Sequence, residues 1–199
     1  MVNNLYHHGD LKRELMEKGL LLINQYGEDN LSLRKLASEC GVSNAAPYAH
    51  FKNKEDFISE IQNYVMGLFT AQLEKALAEY SESNEVFIQL GKAYVMFFCH
   101  HPSYFDFLFS RKNIKVNISL DEAGENPPFD VLKKAAFQYF SRLNMSDYEI
   151  ENTVVAMWAL VHGLSAITAM PNVVSNEDWE KRVEAILRTA AFSKYGGQR

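Results

Sequence analysis

The stretch L-S-L-R-K-L-A-S-E-C-G-V-S-N-A-A-P-Y-A-H-F-K-N-K-E-D-F-I, residues 31–58, decides the fold of this chain. Apolar side chains recur at helical spacing in its first part, at Leu33, Leu36 and Ala37. Ser32 precedes them, and its side-chain oxygen can accept a hydrogen bond from an unpaired backbone N–H. Gly41 follows where the chain must turn left-handed, which glycine does without steric cost. The pattern therefore predicts a short capped helix and a tight turn.

A second short helix is predicted from Asn44 to His50. Pro47 falls in its first turn, where the missing N–H removes at most one intrahelical hydrogen bond. The alanines around it leave a thin surface, so the helix axis can come close to whatever it touches. A helix-turn-helix unit of this shape fits the DNA major groove, which is roughly 12 Å wide. Spacing alone leaves a second interpretation open, an ordinary helical corner packed inside an enzyme.

Sequence motifs separate these two interpretations. Residues 41–55 follow the pattern G-V-S-x-x-x-x-Y-x-H-F-x-x-K-E, and residues 32–37 read S-L-R-K-L-A. Both resemble segments of the TetR family of one-component transcriptional regulators, in which the first closes the recognition helix and opens a long linking helix. Residues 6–15 look like the start of one branch of that family. W-A-L-V-H-G at 158–163 resembles the W-x-x-x-H-G signature of the same branch's C-terminal domain.

The resemblance implies a two-part organisation. Residues 1–57 would form a three-helix bundle with a helix-turn-helix, and residues 58–199 a larger helical domain for effector binding and dimerisation. The boundary near Phe57 would lie inside one helix that runs from Lys54 to about Tyr80. An all-α fold is also predicted independently, because the sequence has no sustained alternation of β-branched residues and no Asn-Gly hairpin turn.

A DNA-contacting surface is predicted around the second short helix. In this interpretation Asn44 is the best candidate for a base hydrogen bond, and Ala45 or Ala46 would touch a thymine methyl. By resemblance, Tyr48, His50 and Lys54 would hold phosphates. Other side chains of the surface would contact the same backbone. The full set is Ser32, Arg34, Ser43, Asn44, Ala45, Ala46, Tyr48, His50, Lys52 and Lys54. Packing within the three-helix unit is the alternative for Tyr48 and His50. Residues 6–8 are interpreted either as a frayed terminus or as an arm along the phosphate backbone.

Bulk charge argues against non-specific nucleic-acid binding. The formal net charge of the chain is −5, and residues 1–57 carry seven basic and eight acidic side chains. DNA binding here would need local clustering of cations rather than bulk charge. Specific binding can nevertheless depend on a few phosphate contacts together with base readout.

An aromatic cluster in the second part of the chain is the candidate effector pocket. The family resemblance implies a pocket among the C-terminal helices, and such pockets are largely apolar with a few polar anchors. Ordinary core packing is the alternative for most of these side chains. For His162 the alternative is a structural hydrogen-bonding group beside Gly163. The predicted pocket residues are Phe69, Tyr94, Phe97, Phe98, His101, Tyr104, Phe105, Trp158 and His162.

The last two helices, about 147–170 and 176–195, would form a homodimer interface by resemblance. Small residues that permit close approach of a partner helix are Ala156, Ala159, Gly163 and Ala166. A dimer also suits a palindromic operator in double-stranded DNA, because two reading units about 34 Å apart match one turn of the duplex.

Other functional classes have little support in the sequence. Cys99 and His100 are neighbours on a predicted helix and point about 100° apart, so they do not face each other. No G-x-S-x-G, phosphate-binding glycine loop or H-E-x-x-H motif is found, so no enzyme, metal site or cofactor is predicted. Two separated cysteines and no signal-peptide pattern at residues 1–9 favour a cytoplasmic protein. The apolar run 154–170 is interpreted as a buried or interfacial helix, not a membrane span.

The predicted function is therefore that of a ligand-responsive transcriptional regulator. It would be a repressor that a small apolar or amphipathic effector releases from a palindromic operator. The competing prediction is a helical small-molecule-binding protein that does not read DNA.

Overall fold

The structure, a computed structural model, describes residues 8–109, 115–120, 124 and 126–195, with side chains over 11–109, 115–120, 124 and 126–190. These residues form α-helices joined by turns and contain no strand, which confirms the predicted all-α class. Residues 6 and 7 of the predicted arm lie outside this range, and His8 begins the first helix. The helices are α1 His8–Tyr26, α2 Leu33–Glu39, α3 Lys54–Tyr80, α4 Val86–His100, α5 Pro102–Phe109, α6 Pro127–Phe140, α7 Asp147–Ala169 and α8 Trp179–Tyr195.

Local capping chemistry sets the boundaries of α2 and α3. The Ser32 hydroxyl accepts a hydrogen bond from the Lys35 N–H at 3.1 Å, and the Asn53 side-chain oxygen accepts one from the Asp56 N–H at 2.8 Å. Each bond satisfies an N–H that has no partner inside its own helix. Gly41, just after α2, has a φ of +67°. The predicted cap by Ser32 and the predicted left-handed turn at Gly41 are confirmed.

The second short helix is wound differently from the prediction. Residues 43–50 form successive turns with a short 3₁₀ helix at Pro47–Ala49, not an α-helix. The N–H groups of Ala46, Tyr48, Ala49 and His50 each donate to the carbonyl three residues earlier, at 3.0–3.2 Å. Pro47 has no N–H with which to bond the Ser43 carbonyl, so the run begins without its first α-helical bond. We call residues 43–50 the 3₁₀ turn.

Helices α3 and α4 are at the centre of the fold. Helix α3 packs against α4 and α6, α4 packs against α7 and α8, and α1 packs against α2, α3 and α5. One cluster of buried side chains extends without interruption from Leu15 and Leu36 near the N-terminus to Val183 and Leu187 in α8. The core of the N-terminal unit (α1, α2 and the 3₁₀ turn) is thus continuous with that of the helical body (α4–α8).

The last two helices have well-defined starts. The Ser146 hydroxyl and the Glu149 carboxylate form a capping box at the start of α7. Helix α8 begins at Trp179, three residues later than predicted. The Asp178 carboxylate accepts a hydrogen bond from the Glu180 N–H at 2.7 Å. The Ser175 hydroxyl does not cap the helix and instead accepts from the Glu177 N–H and the Arg182 side chain.

By length and composition alone, α7 is the one helix in the described part of the chain that would be able to cross a membrane. Core helices of soluble proteins meet the same criterion. In this fold α7 packs against α4, α5 and α6 through one face, and 28% of its most apolar window is buried.

Candidate DNA-binding surface and ligand cavity

The 3₁₀ turn is presented to solvent at the N-terminal end of the molecule. Tyr48 is 51% exposed, while Pro47 and Phe51 on either side point inward and are buried. Among the predicted DNA contacts, three are half-buried, namely Ala46, His50 and Lys54. The others are exposed, namely Ser32, Arg34, Ser43, Asn44, Ala45, Tyr48 and Lys52. The surface is contiguous because the start of α2 and the start of α3 flank the turn.

Tyr48 and His50 differ in how far they pack into the N-terminal unit. The exposed ring of Tyr48 argues against the packing alternative for that residue. The His50 ring lies 6.1 Å from the buried Phe51 ring and is partly covered. His50 thus combines packing with partial access to solvent, and its two interpretations remain open.

Hydrogen bonds and ion pairs reduce the acidic character of this surface. Glu39 pairs with Lys18 at 3.5 Å, and the Asp56 carboxylate accepts from the Lys52 backbone N–H at 2.8 Å. In the part of the chain that the structure describes, the side chains of Arg34 and Lys52 make no ion pair. These two exposed cations are therefore available to phosphates, in spite of the net negative charge of residues 1–57.

A cavity of about 530 Å³ lies in the helical body. Its walls come from α3, α4, α6, α7 and α8, and Phe109 of α5 closes one side. Most wall side chains are aromatic or aliphatic, including Leu73, Leu90, Phe129 and Met157. Its size is within the usual range for small-molecule sites, roughly 300–1,000 Å³.

The structure places three of the nine predicted pocket residues in the cavity wall, namely Phe69, Tyr94 and Trp158. The other six do not line this cavity, namely Phe97, Phe98, His101, Tyr104, Phe105 and His162. Helix α4 turns Tyr94 toward the cavity, whereas the side chains further along pack toward α5. There Phe98 lies 5.4 Å from Phe105, and His101 stacks on Tyr104 at 4.8 Å.

Sequence reasoning missed the contribution of α6 to the wall. Helix α6 brings apolar side chains at helical spacing, namely Phe129, Leu132, Tyr139 and Phe140. That spacing was visible in the sequence. The prediction instead followed the aromatic side chains of α4 and α5, which are more closely spaced.

His162 supports the cavity wall from behind. Its Nδ1 lies 3.4 Å from the Tyr94 hydroxyl, and its ring meets the Phe109 ring edge-on at 4.5 Å. Burial lowers the pKa of His162 and, more strongly, raises the pKa of Tyr94, although a hydrogen bond with Trp158 opposes the shift of Tyr94. Both groups are therefore neutral near pH 7, and which of them donates in this contact depends on the tautomer of His162. This contact favours the structural interpretation of His162.

The cavity wall has a distinctive charge pattern. Among its described residues there is no lysine, arginine or histidine, and Glu85 is the one acidic group. The Glu85 carboxylate accepts from Arg188 at 2.9 Å, and Arg188 also bonds Glu184 at 2.8 Å. Glu85 is thus neutralised from α8. In the described ranges no three His, Cys, Asp or Glu side chains form a group suited to a metal ion.

The molecule has an exposed turn between two capped helices. One continuous helix joins this turn to a body with an apolar cavity. This is the architecture of a helix-turn-helix regulator. Solved structures share this fold over nearly the whole chain. A putative transcriptional regulator from Pseudomonas aeruginosa PAO1 aligns with a TM-score of 0.73 at 15% identity, covering 97% of this chain and 94% of that one. A protein of unknown function from Rhodococcus sp. RHA1 aligns with a TM-score of 0.69 at 23% identity, covering 94% and 96%. AibR in complex with isovaleryl coenzyme A and operator DNA aligns with a TM-score of 0.66 at 17% identity, covering 89% and 96%.

Sequence comparison relates the N-terminal part of the chain to one family. Residues 15–61 match the family model of the bacterial regulatory proteins of the tetR family. An uncharacterized HTH-type transcriptional regulator from Haemophilus influenzae is 30% identical over 94 residues, which is 47% of this chain. The matched segment spans about half the length of that relative, 50%. The N-terminal part of the chain is thus similar to the bacterial regulatory proteins of the tetR family, and the solved structures extend the likeness in fold to nearly the whole chain.

Proposed function

We propose that this chain is a homodimeric repressor that binds operator DNA through the 3₁₀ turn and is released by a small uncharged effector bound in the cavity. The observation that carries the proposal is the exposure of the turn between two buried anchors, Pro47 and Phe51. The buried anchors fix the backbone, so DNA binding would cost the rotamer freedom of the exposed side chains but not the ordering of the backbone. The protein would act in the cytoplasm and catalyse no reaction.

The surface divides into base-contacting and phosphate-contacting parts. Asn44, with Ala45 and Ala46 beside it, would face base edges, because an asparagine amide can bond adenine in the major groove. Tyr48 and the cations of Arg34 and Lys52 would hold the phosphate backbone on both sides of the turn. These phosphate contacts would set the register of the protein on the duplex.

The dimer is proposed to form through α7 and α8. Ala156 and Ala159 are exposed on α7, and a Cβ added at Gly163 would meet nothing within 4 Å inside the subunit. In an isolated subunit Gly163→Ala would therefore stabilise the helix, by about 1 kcal/mol on helix propensity alone.

We expect Gly163→Ala instead to weaken the dimer about tenfold, since the methyl group would hold two closely packed helices apart. Dimer dissociation measured by analytical ultracentrifugation tests this. Gly67→Ala is the matched control, because Gly67 is also helical and without a neighbour within 4 Å. Gly67 is exposed, whereas Gly163 is half-buried. A Gly163→Ala protein that is more stable and equally dimeric would place the interface elsewhere.

The effector is proposed to be uncharged because the described wall offers it no cation and Glu85 is already paired. A buried carboxylate without a partner costs several kcal/mol. The related fold of AibR binds isovaleryl coenzyme A, which carries several negative charges. The cavity described here suits a different class of molecule, apolar and with one or two hydrogen-bonding groups that Asn126, Thr153 or Tyr94 would meet.

A matched set of probes tests this class: 1-octanol, octanoate and octyltrimethylammonium share one chain and differ in charge. We expect 1-octanol to change the fluorescence of Trp158 saturably at pH 8. Octanoate should bind at least about tenfold more weakly, given the cost of an unpaired carboxylate. Trp179→Phe removes the other tryptophan and leaves Trp158 as the reporter. Octanoate binding as tightly as 1-octanol would contradict an uncharged effector.

A mobility-shift assay with DNA from upstream of the protein's own gene tests the proposed function as a whole. We expect a shifted complex that a cavity ligand disperses. Failure to shift this and any other duplex, with cavity binding intact, would instead favour the small-molecule-binding protein that does not read DNA.

A further inference from the structure

A single carboxylate joins the N-terminal unit to the helical body. One oxygen of Glu17, on α1, accepts hydrogen bonds from the Tyr64 hydroxyl of α3 at 2.9 Å and the Tyr104 hydroxyl of α5 at 2.7 Å. Tyr104 is only 5% exposed, and Glu17 and Tyr64 are half-buried. We call these three residues the Glu17 junction.

The chemistry of the Glu17 junction makes both bonds strong. Burial raises the pKa of Tyr104, and the Glu17 hydrogen bond raises it further. The same two causes raise the pKa of Tyr64, against a smaller opposing effect of Arg13. Both hydroxyls therefore keep their protons and donate to the carboxylate. Hydrogen bonds from O–H to an ionised oxygen are shorter and roughly twice as strong as neutral ones.

A second contact fastens the same face of α1. The Asn24 side-chain N–H donates to the Ser103 carbonyl of α5 at 2.6 Å. Glu17 and Asn24 are seven residues apart, about two helical turns, so they share a face. Without these hydrogen bonds, α1 would keep its apolar packing against α3 and α5. It would lose the directional contacts that fix its orientation relative to α5. The two contacts with α5 therefore limit rotation of the N-terminal unit about α3.

A chain of aromatic contacts leads from the Glu17 junction to the cavity. The Tyr104 ring lies 5.9 Å from the Phe97 ring, and Phe97 stacks on Phe69 at 5.0 Å with an angle of 25° between the planes. Phe69 is part of the cavity wall. A molecule that displaces Phe69 would therefore move the rings on which Tyr104 rests.

We infer that the Glu17 junction positions the N-terminal unit for DNA and transmits occupancy of the cavity to it, by losing the Tyr104 hydrogen bond when Phe69 moves. This inference rests on the proposed function for its biological use. The positioning itself is a property of one subunit and can be measured without DNA. Glu17, Tyr64 and Tyr104 are positioning residues and would not touch the duplex.

Pulsed electron–electron double resonance tests the positioning. Nitroxide labels at Ser38→Cys on α2 and Gln138→Cys on α6, both exposed positions, report the distance between the N-terminal unit and the body. Cys40 and Cys99 are first replaced by serine. Dilution with unlabelled protein restricts the signal to pairs within one subunit, so the result does not depend on dimerisation.

Tyr104→Phe removes one hydroxyl and keeps the ring. We expect it to broaden or shift the distance distribution by several ångström, and Tyr64→Phe/Tyr104→Phe to do so further. Tyr80→Phe is the matched control, because Tyr80 lies on α3 and its hydroxyl bonds Glu79 of the same helix. In the parent protein 1-octanol should shift the distribution toward that of Tyr104→Phe, and it should have little effect on Tyr104→Phe itself.

Distributions of Tyr104→Phe and the double variant that superimpose on the parent would overturn the positioning role, whatever their melting temperatures. A shift caused by Tyr104→Phe but not by 1-octanol bound at Trp158 would overturn the transmission role. Failure of the mobility-shift assay would contradict the proposed function and leave these distances interpretable. On operator DNA, Tyr104→Phe should bind about five- to tenfold more weakly, because an N-terminal unit that is no longer held in position must be ordered on binding.

Discussion

Replacing Asn44 by glutamate is expected to weaken operator binding by about a hundredfold without changing the fold. Asn44 is exposed at the start of the 3₁₀ turn, and our proposal places it against the major groove. A carboxylate about 6 Å from one phosphate costs roughly 3 kcal/mol at an effective dielectric constant of 20. The substitution also removes the amide that would bond a base. Fluorescence anisotropy with a labelled operator duplex measures the change.

Asn172→Glu is the matched control for Asn44→Glu. It makes the same chemical change at an exposed position between α7 and α8, in the body, and alters the net charge of the chain equally. We expect it to change affinity less than threefold at 0.15 M salt, where exposed charges are screened beyond roughly 8 Å. Equal losses in both variants would mean that total charge, not the 3₁₀ turn, governs binding. An Asn44→Glu protein that binds normally would remove the turn from the DNA interface.

The second large expected effect is a loss of stability when Phe57, which packs into the core of the N-terminal unit, is truncated. Phe57 is fully buried, and its ring meets the Phe51 ring edge-on at 4.7 Å. It also fills the space beside Gly19 on α1, where a side-chain methyl group would overlap the ring. We expect Phe57→Ala to lower the free energy of unfolding by about 3–5 kcal/mol, through lost burial and the cavity that remains.

Chemical denaturation followed by circular dichroism measures this loss, and the exposed Phe137→Ala provides the comparison. Phe137 lies on α6 and is 46% exposed, so its truncation should cost less than about 1 kcal/mol. If the N-terminal unit unfolds before the body in Phe57→Ala, DNA binding will be lost while 1-octanol still binds. Similar losses of stability in the two variants would show that Phe57 is not the anchor that its burial indicates.

The sequence was informative where structure depends on neighbouring residues. Ser32 and Asn53 cap their helices because a short polar side chain next to a helical run has one favoured partner, an adjacent backbone N–H. Gly41 adopts a positive φ because few other residues do so at low cost. Helix α3 was predictable as a continuous connection, since its apolar stripe continues without a break.

Other features depend on contacts that sequence spacing does not encode. The 3₁₀ winding after Ser43 arises from competition between i→i−3 and i→i−4 hydrogen bonds around Pro47. The same sequence is compatible with both kinds of bond. The cavity combines side chains from helices far apart in the chain, such as Phe69 and Phe129. An aromatic residue on α4 can therefore face either the cavity or α5. One turn of the helix decides that Tyr94 is in the wall and that Phe97 is outside it.

The Glu17 junction illustrates the same limit. Glu17 occupies an ordinary position on an amphipathic helix, and its partners lie 47 and 87 residues further along the chain. Nothing in the local pattern marks this carboxylate as different from Glu14. It becomes a connection between the two parts of the molecule only when α5 packs across α1.

The most direct test of DNA reading is selection of bound duplexes from a random library by the purified full-length protein. We expect sequencing to recover a palindrome whose half-site centres lie about one helical turn apart, or a multiple of it, as two-fold symmetric units require. The same selection with Asn44→Glu should recover it far less. No enrichment over the starting library, or equal enrichment by both proteins, would contradict the claim that this chain reads DNA through the 3₁₀ turn.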